Sequence, residues 1–202
     1  MPFFEELDAV RERWNVLDHP FYTRWSEGTL TRGELAHYSG QYRHAVVALA
    51  EATAHAAELE PSLAPHAAEE AAHVALWDGF VDAVGGDSAA SPSPETASCA
   101  RAWARDGSLL ETLVGIYAIE AAQPAISATK ATGLRDRYGI DAPAATAYFD
   151  LHERLDVEHA AAGRAFIQAR LSEGDQVALV ARAEEVLKAN WELLDGVERS
   201  VG

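Results

Sequence analysis

Between Tyr148 and His159 the chain places His152, Asp156 and His159 four and then three residues apart. On a helix each residue advances by about 100°, so the three side chains fall within an arc of roughly 60° and point one way. Neutral imidazole nitrogens and carboxylate oxygens together suit iron, manganese or zinc. The triplet is an incomplete ligand shell, and an exposed face with two surface histidines reads the same way. Helix-borne carboxylate–histidine centres draw their ligands from several inward-facing helices, so the remaining groups are sought elsewhere in the chain.

Two other stretches offer them. In Ala68-Glu69-Glu70-Ala71-Ala72-His73-Val74, Glu70 and His73 are i and i+3 on one face, with apolar neighbours around His73. Glu34 with His37 and Glu51 with His55 have comparable spacing, so this pair is not distinctive alone. In Gly115-Ile116-Tyr117-Ala118-Ile119-Glu120-Ala121-Ala122, Glu120 is a lone acid in an apolar run. A buried carboxylate must be protonated, paired or metal-bound. Glu70, His73, Glu120, His152, Asp156 and His159 together give three carboxylates and three imidazoles from three helices, a set able to hold a pair of irons.

The elements that must position these groups are helical almost throughout. Alanine, leucine, glutamate and arginine dominate, apolar positions recur every three to four residues, and no alternating β-branched run competes. The reading is a helix from Phe3 to about Leu17, a short segment from His19 to Gly28, and a long helix from Arg32 to Glu58 opened by the capping box Thr31-x2-Glu34. A helix after Pro61 and Pro65 stops at Gly85-Gly86, and a short one follows Ser93-Pro94. Ser108-x2-Glu111 opens another helix, expected to run to about Gly133 with a kink at Pro124 that frees the Glu120 carbonyl. Helices from about Ala144 to Leu171 and from Gln176 to about Glu198 complete an all-α bundle of seven to eight helices, read as one domain over residues 1–202.

Composition bounds the partners. The 202 residues carry 16 Lys+Arg against 32 Asp+Glu, a net charge of −16, which argues against nucleic acid and against anionic membrane surfaces because both need a basic patch. No apolar run is read as a membrane span, and Met1-Pro2-Phe3-Phe4-Glu5-Glu6 lacks the basic flank of a signal peptide. With a single cysteine, Cys99, the expectation is a cytoplasmic protein in a reducing compartment.

The residues resemble the haem-oxygenase-like di-iron oxidases, a branch of the superfamily that includes the thiaminase-II proteins and the PQQ synthase. The likeness runs through His19-Pro20-Phe21-Tyr22-x2-Trp25-x2-Gly28, then Tyr117-x2-Glu120-x3-Pro124 and Gly133-Leu134, then His152-x3-Asp156-x2-His159-Ala160. It implies a haem-oxygenase-like fold, two irons per chain, dioxygen as co-substrate, an external reductant and a homodimer, with manganese or zinc able to occupy the same ligands in a purified sample. Its ligand pattern maps onto Glu70 or Glu69 with His73, then Glu120, then His152, Asp156 and His159, and helical register favours Glu70.

Within that family the chain resembles the chlamydial-type p-aminobenzoate synthases, which make a folate precursor. By this resemblance Tyr22 corresponds to a tyrosine consumed as substrate and Lys130 to the amine donor. A tyrosine expected directly before the second glutamate is Ile119 here, with Tyr117 close by as the candidate in its place. The substrate is then a small molecule or the protein's own side chains. Two other readings compete. A thiaminase-II hydrolase would need Cys99 as a nucleophile lining the cavity. A non-catalytic helical binding protein would carry incidental histidines and no metal affinity.

Overall fold

Local sequence signals set the helix boundaries. A computed structural model describes residues 2–201, and among these it contains nine α-helices and no strand. They are α1 (Phe3–Arg13), α2 (Pro20–Glu27), α3 (Arg32–Leu59), α4 (Ala64–Val84), α5 (Pro94–Trp103), α6 (Leu109–Glu120), α7 (Gln123–Asp136), α8 (Pro143–Gln168) and α9 (Gln176–Val201). Both capping boxes form: the Thr31 and Ser108 hydroxyls accept from the backbone N–H of Glu34 and Glu111, and those carboxylates reach back to the cap N–H groups. The Ser93 hydroxyl caps α5 by accepting from the Thr96 N–H, with Pro94 at the first position of the helix. Gly28 ends α2 at φ 74°, a left-handed conformation that glycine adopts without penalty.

Two boundaries differ from expectation. The first helix stops at Arg13, because the Asn15 side chain accepts from the Leu17 N–H and draws the chain into a separate turn at Val16–Asp18. Pro124 does more than kink the helix that Ser108 opens. It sits in the first turn of a new helix, and the chain breaks at Ala121-Ala122, so that Glu120 becomes the last residue of α6. That break raises the helix count above the expected seven to eight.

The helices pack as a bundle in which α3 lies against α4, α4 against α8, and α8 against both α6 and α7, while α9 covers α1, α5 and α6. The centre is aromatic: Trp25, Trp77, Tyr22, Tyr38, Tyr42, Tyr148, Phe80 and Phe149 are all almost fully buried. Indole N–H groups tie helices together across this core. Trp25 donates to the Lys130 carbonyl at 3.3 Å, Trp77 to that of Ser39 at 2.9 Å, and Trp103 to that of Val186 at 3.0 Å. The stretch Leu109–Asp136 is long and apolar enough to qualify as a membrane span by composition, which the sequence reading did not register; it is broken between α6 and α7, and 61% of its most apolar window is buried in the bundle.

Candidate metal centre

Helix α4 presents His66, Glu70 and His73 at i, i+4 and i+7, which puts all three on one face. Helix α8 turns His152, Asp156 and His159 toward that face, and α6 contributes Glu120 from its final turn. Glu70, Glu120, His152 and Asp156 are 1–2% exposed and His73 is 5% exposed. The nitrogens and carboxylate oxygens of His66, Glu70, Glu120 and His159 lie within 4.8 Å of one another, as do those of Glu70, His73 and His152. Glu70 belongs to both groups.

These donors approach one another closely. His66 Nε2 is 2.8 Å from Glu120 Oε1, and His73 Nδ1 is 2.9 Å from Glu70 Oε1. All four atoms are nevertheless buried without an aligned hydrogen bond, as are His152 Nε2, His159 Nδ1 and both oxygens of Asp156. Buried polar atoms are normally satisfied, so this concentration of orphans needs an explanation. Two groups of imidazole and carboxylate donors within 4.8 Å of one another supply one: their chemistry fits a first-row transition metal.

The surroundings support that use. His152 Nδ1 lies 2.6 Å from the Tyr148 carbonyl and its ring stacks on Tyr148 at 3.9 Å. The proton therefore sits on Nδ1, and the lone pair on Nε2 faces the cluster. Burial holds His152 below the ordinary histidine range, which keeps it neutral and able to ligate. Burial also pushes the Glu120 carboxyl up, at a helix C-terminus where negative charge is unfavourable. Glu70 is likewise pushed up by burial, but His73, His152 and His66 outweigh it and hold it below the usual carboxylate range. Asp156 beside His159 raises that imidazole to about 9.

Glu70 is the buried acid of its pair. Glu69 is half exposed and points across to His159, with Oε2 3.2 Å from Nε2. His66 was not among the residues singled out from the sequence. Its signal was present, since 66, 70 and 73 extend the same helical face by one turn.

Tyr117 lines a cleft of about 220 Å³ that ends at His66, Glu120 and His159 and is walled by Leu113, Ile116, Ala162 and Phe166. Tyr22 and Lys130 lie elsewhere, together, in an aromatic cage. The Lys130 amine is 4.5 Å from the Tyr42 ring centre and 5.3–5.4 Å from those of Tyr22, Tyr38, Trp77 and Phe149. The Tyr22 and Tyr38 hydroxyls are 2.8 Å apart. Burial pushes the Lys130 amine well below its usual range and both phenols well above theirs. One aromatic layer separates cage from metal centre: Trp77 lies 5.0 Å from Tyr148, which stacks on His152. Cys99 is fully buried, its thiol pushed up by that burial, and it lies outside the cleft.

Solved structures share the fold. A TenA homologue from Pseudomonas syringae superposes with a TM-score of 0.84 at 15% identity, covering 98% of this chain and 91% of that one. A TenA homologue from P. horikoshii gives 0.76 at 16% identity, covering 98% and 99%. Among curated relatives, the 4-aminobenzoate synthase of Nitrosomonas europaea is 30% identical over 98% of this chain and 92% of its own length. That of Chlamydia muridarum is 30% identical over 96% and 89%. A family model described as iron-containing redox enzyme matches residues 65–191, the span that holds every donor of the cluster. The convergent imidazoles and carboxylates therefore sit in a chain that belongs to the haem-oxygenase-like family of iron-containing redox enzymes, and it is an iron-dependent oxidoreductase.

Proposed function

We propose that this protein is a dioxygen-activating di-iron enzyme that forms 4-aminobenzoate from its own side chains, Tyr22 supplying the aromatic ring and Lys130 the nitrogen. The observation that carries this reading is the sealed pairing of those two residues one aromatic layer from the donor cluster. The names of the relatives point the same way. Glu70, His73, His152, Asp156, His66, Glu120 and His159 would hold the irons. When bound, the irons supply the electrons and oxidising power for dioxygen chemistry, with an external reductant resetting them.

The protein's own groups prepare that chemistry. Burial keeps the Lys130 lone pair free, since an uncharged amine is what can form a bond to carbon. The same burial keeps Tyr22 protonated and hydrogen-bonded to Tyr38, which fixes the phenol's orientation. Tyr22 and Lys130 are each 1% exposed, so water is kept from reactive species in the cage.

The test is an anaerobic ferrous titration of the metal-free protein, then an oxygen pulse with a reductant, reading intact mass and product. Two irons per chain, mass changes mapped to Tyr22 and Lys130, and transfer of ¹⁵N from labelled lysine into 4-aminobenzoate are expected. Lys130→Arg should keep the iron and lose the product. Iron uptake with an unchanged protein mass would sink the self-consuming reading. It would favour oxidation of an external small molecule, which the apolar cleft beside Tyr117 is placed to admit.

A further inference from the structure

An imidazole can hold a proton on one ring nitrogen and a metal on the other, so the group that takes the proton decides which nitrogen ligates. For His152 that group is the Tyr148 carbonyl of its own helix, buried and 2.6 Å away. His159, two turns along the same face, has no such carbonyl partner. Its Nε2 instead meets Glu69 Oε2 at 3.2 Å, across the gap between α8 and α4. Its Nδ1 is buried, without a hydrogen-bond partner, 3.6 Å from Asp156 Oδ1.

From this geometry, and resting on the dimetal reading above, we infer that Glu69 is a positioning residue for the outer metal site, the one formed with His66, Glu120 and His159 beside the cleft: it accepts the Nε2 proton of His159 and makes Nδ1 the ligating atom. The two histidines of α8 then use opposite nitrogens. Helix α4 serves the site twice through adjacent residues, since Glu70 points inward as a ligand and Glu69 sideways as an orienting acceptor. The two ion positions also differ in robustness. The inner one is fixed by a buried intrahelical bond. The outer one depends on a contact whose carboxylate is 52% exposed, so it fills second and empties first.

The test loads zinc, a diamagnetic stand-in, into protein labelled with ¹⁵N at histidine. Long-range ¹H–¹⁵N spectra distinguish Nδ1-bound from Nε2-bound imidazole, and competition with a chelator gives the affinity of each equivalent. His159 is expected to be Nδ1-bound in the wild type and in Glu69→Gln, which keeps an acceptor oxygen. Glu69→Ala should weaken the second zinc about tenfold and leave the first unchanged. An Nε2-bound His159 in the wild type, or two unaltered affinities in Glu69→Ala, would overturn the inference while leaving the dimetal centre standing. If the wild type binds no more zinc than His152→Ala, the dimetal reading falls and takes the inference with it.

Discussion

Asp156 has both oxygens buried, and it raises its neighbour His159 to about 9. A group raised in the folded state stabilises the fold fully below its unfolded value, about 6.5, and loses that contribution as pH rises through the folded value. The metal-free protein should therefore lose thermal stability between about pH 6.5 and 9 through this pair. In Asp156→Asn the decline should flatten and His159 should titrate close to an ordinary histidine by NMR; an unchanged profile would mean that the pair does not form. The same variant should retain less iron, since a carboxylate oxygen is replaced by a weaker amide ligand. Most of this cluster was legible in the sequence, because helical arithmetic places 152, 156 and 159 on one face and a lone Glu120 in an apolar run demands a partner. His66 was missed, although the same arithmetic reaches it from Glu70. Helical register favours Glu70 over Glu69, and the packing of α4 on α8 buries Glu70 while leaving Glu69 half exposed.

At the level of elements, α7 carries Lys130 and is set against α2, which carries Tyr22, with almost nothing between them at Gly133. A Cβ at that position would meet Trp25 Nε1 at 2.5 Å and Cδ1 at 2.6 Å. Trp25 is fully buried and its N–H is committed to the Lys130 carbonyl, so the indole has no easy retreat. Gly133→Ala is expected to destabilise the fold by about 2 kcal/mol, as overpacking does, which in a chain of this size is roughly 4–8 °C in Tm. It should also lower product formation without lowering iron content, because the shift falls on the cage. A Tm within a degree of wild type would show that α7 moves freely against α2. The caps of α3, α5 and α6 could be read directly from Thr31, Ser93 and Ser108, since capping is local chemistry. The effect of Pro124 could not, because a proline specifies only a lost N–H and a clash. Whether the helix kinks or breaks depends on what the two halves pack against, here α9 and α8 for α6, and α8 and α2 for α7.

For the whole molecule, the donor cluster is a liability without metal and a cross-link with it. Its donors come from α4, α6 and α8, so a metal bound there joins three helices whose packing otherwise has to tolerate buried polar groups without hydrogen-bond partners. The chain's net charge of −16 adds general repulsion that dications partly offset. At free iron about 100-fold above its dissociation constant, one site contributes about 2.7 kcal/mol, or roughly 5–11 °C in Tm. Chelation should therefore lower Tm by at least that much. The loss should be local in hydrogen exchange: faster in α4 from His66 to His73, in the last turn of α6 and in α8 from His152 to His159. It should leave α5 and α9 nearly unchanged, where Trp103 bonds the Val186 carbonyl and the contacts are independent of the site. If protection fell evenly across all helices instead, the metal would be stabilising the fold globally, and the bundle would not hold its shape around an empty centre. If protection did not change at all, the buried donors would be satisfied by something other than metal, and the oxidase reading would lose its physical basis.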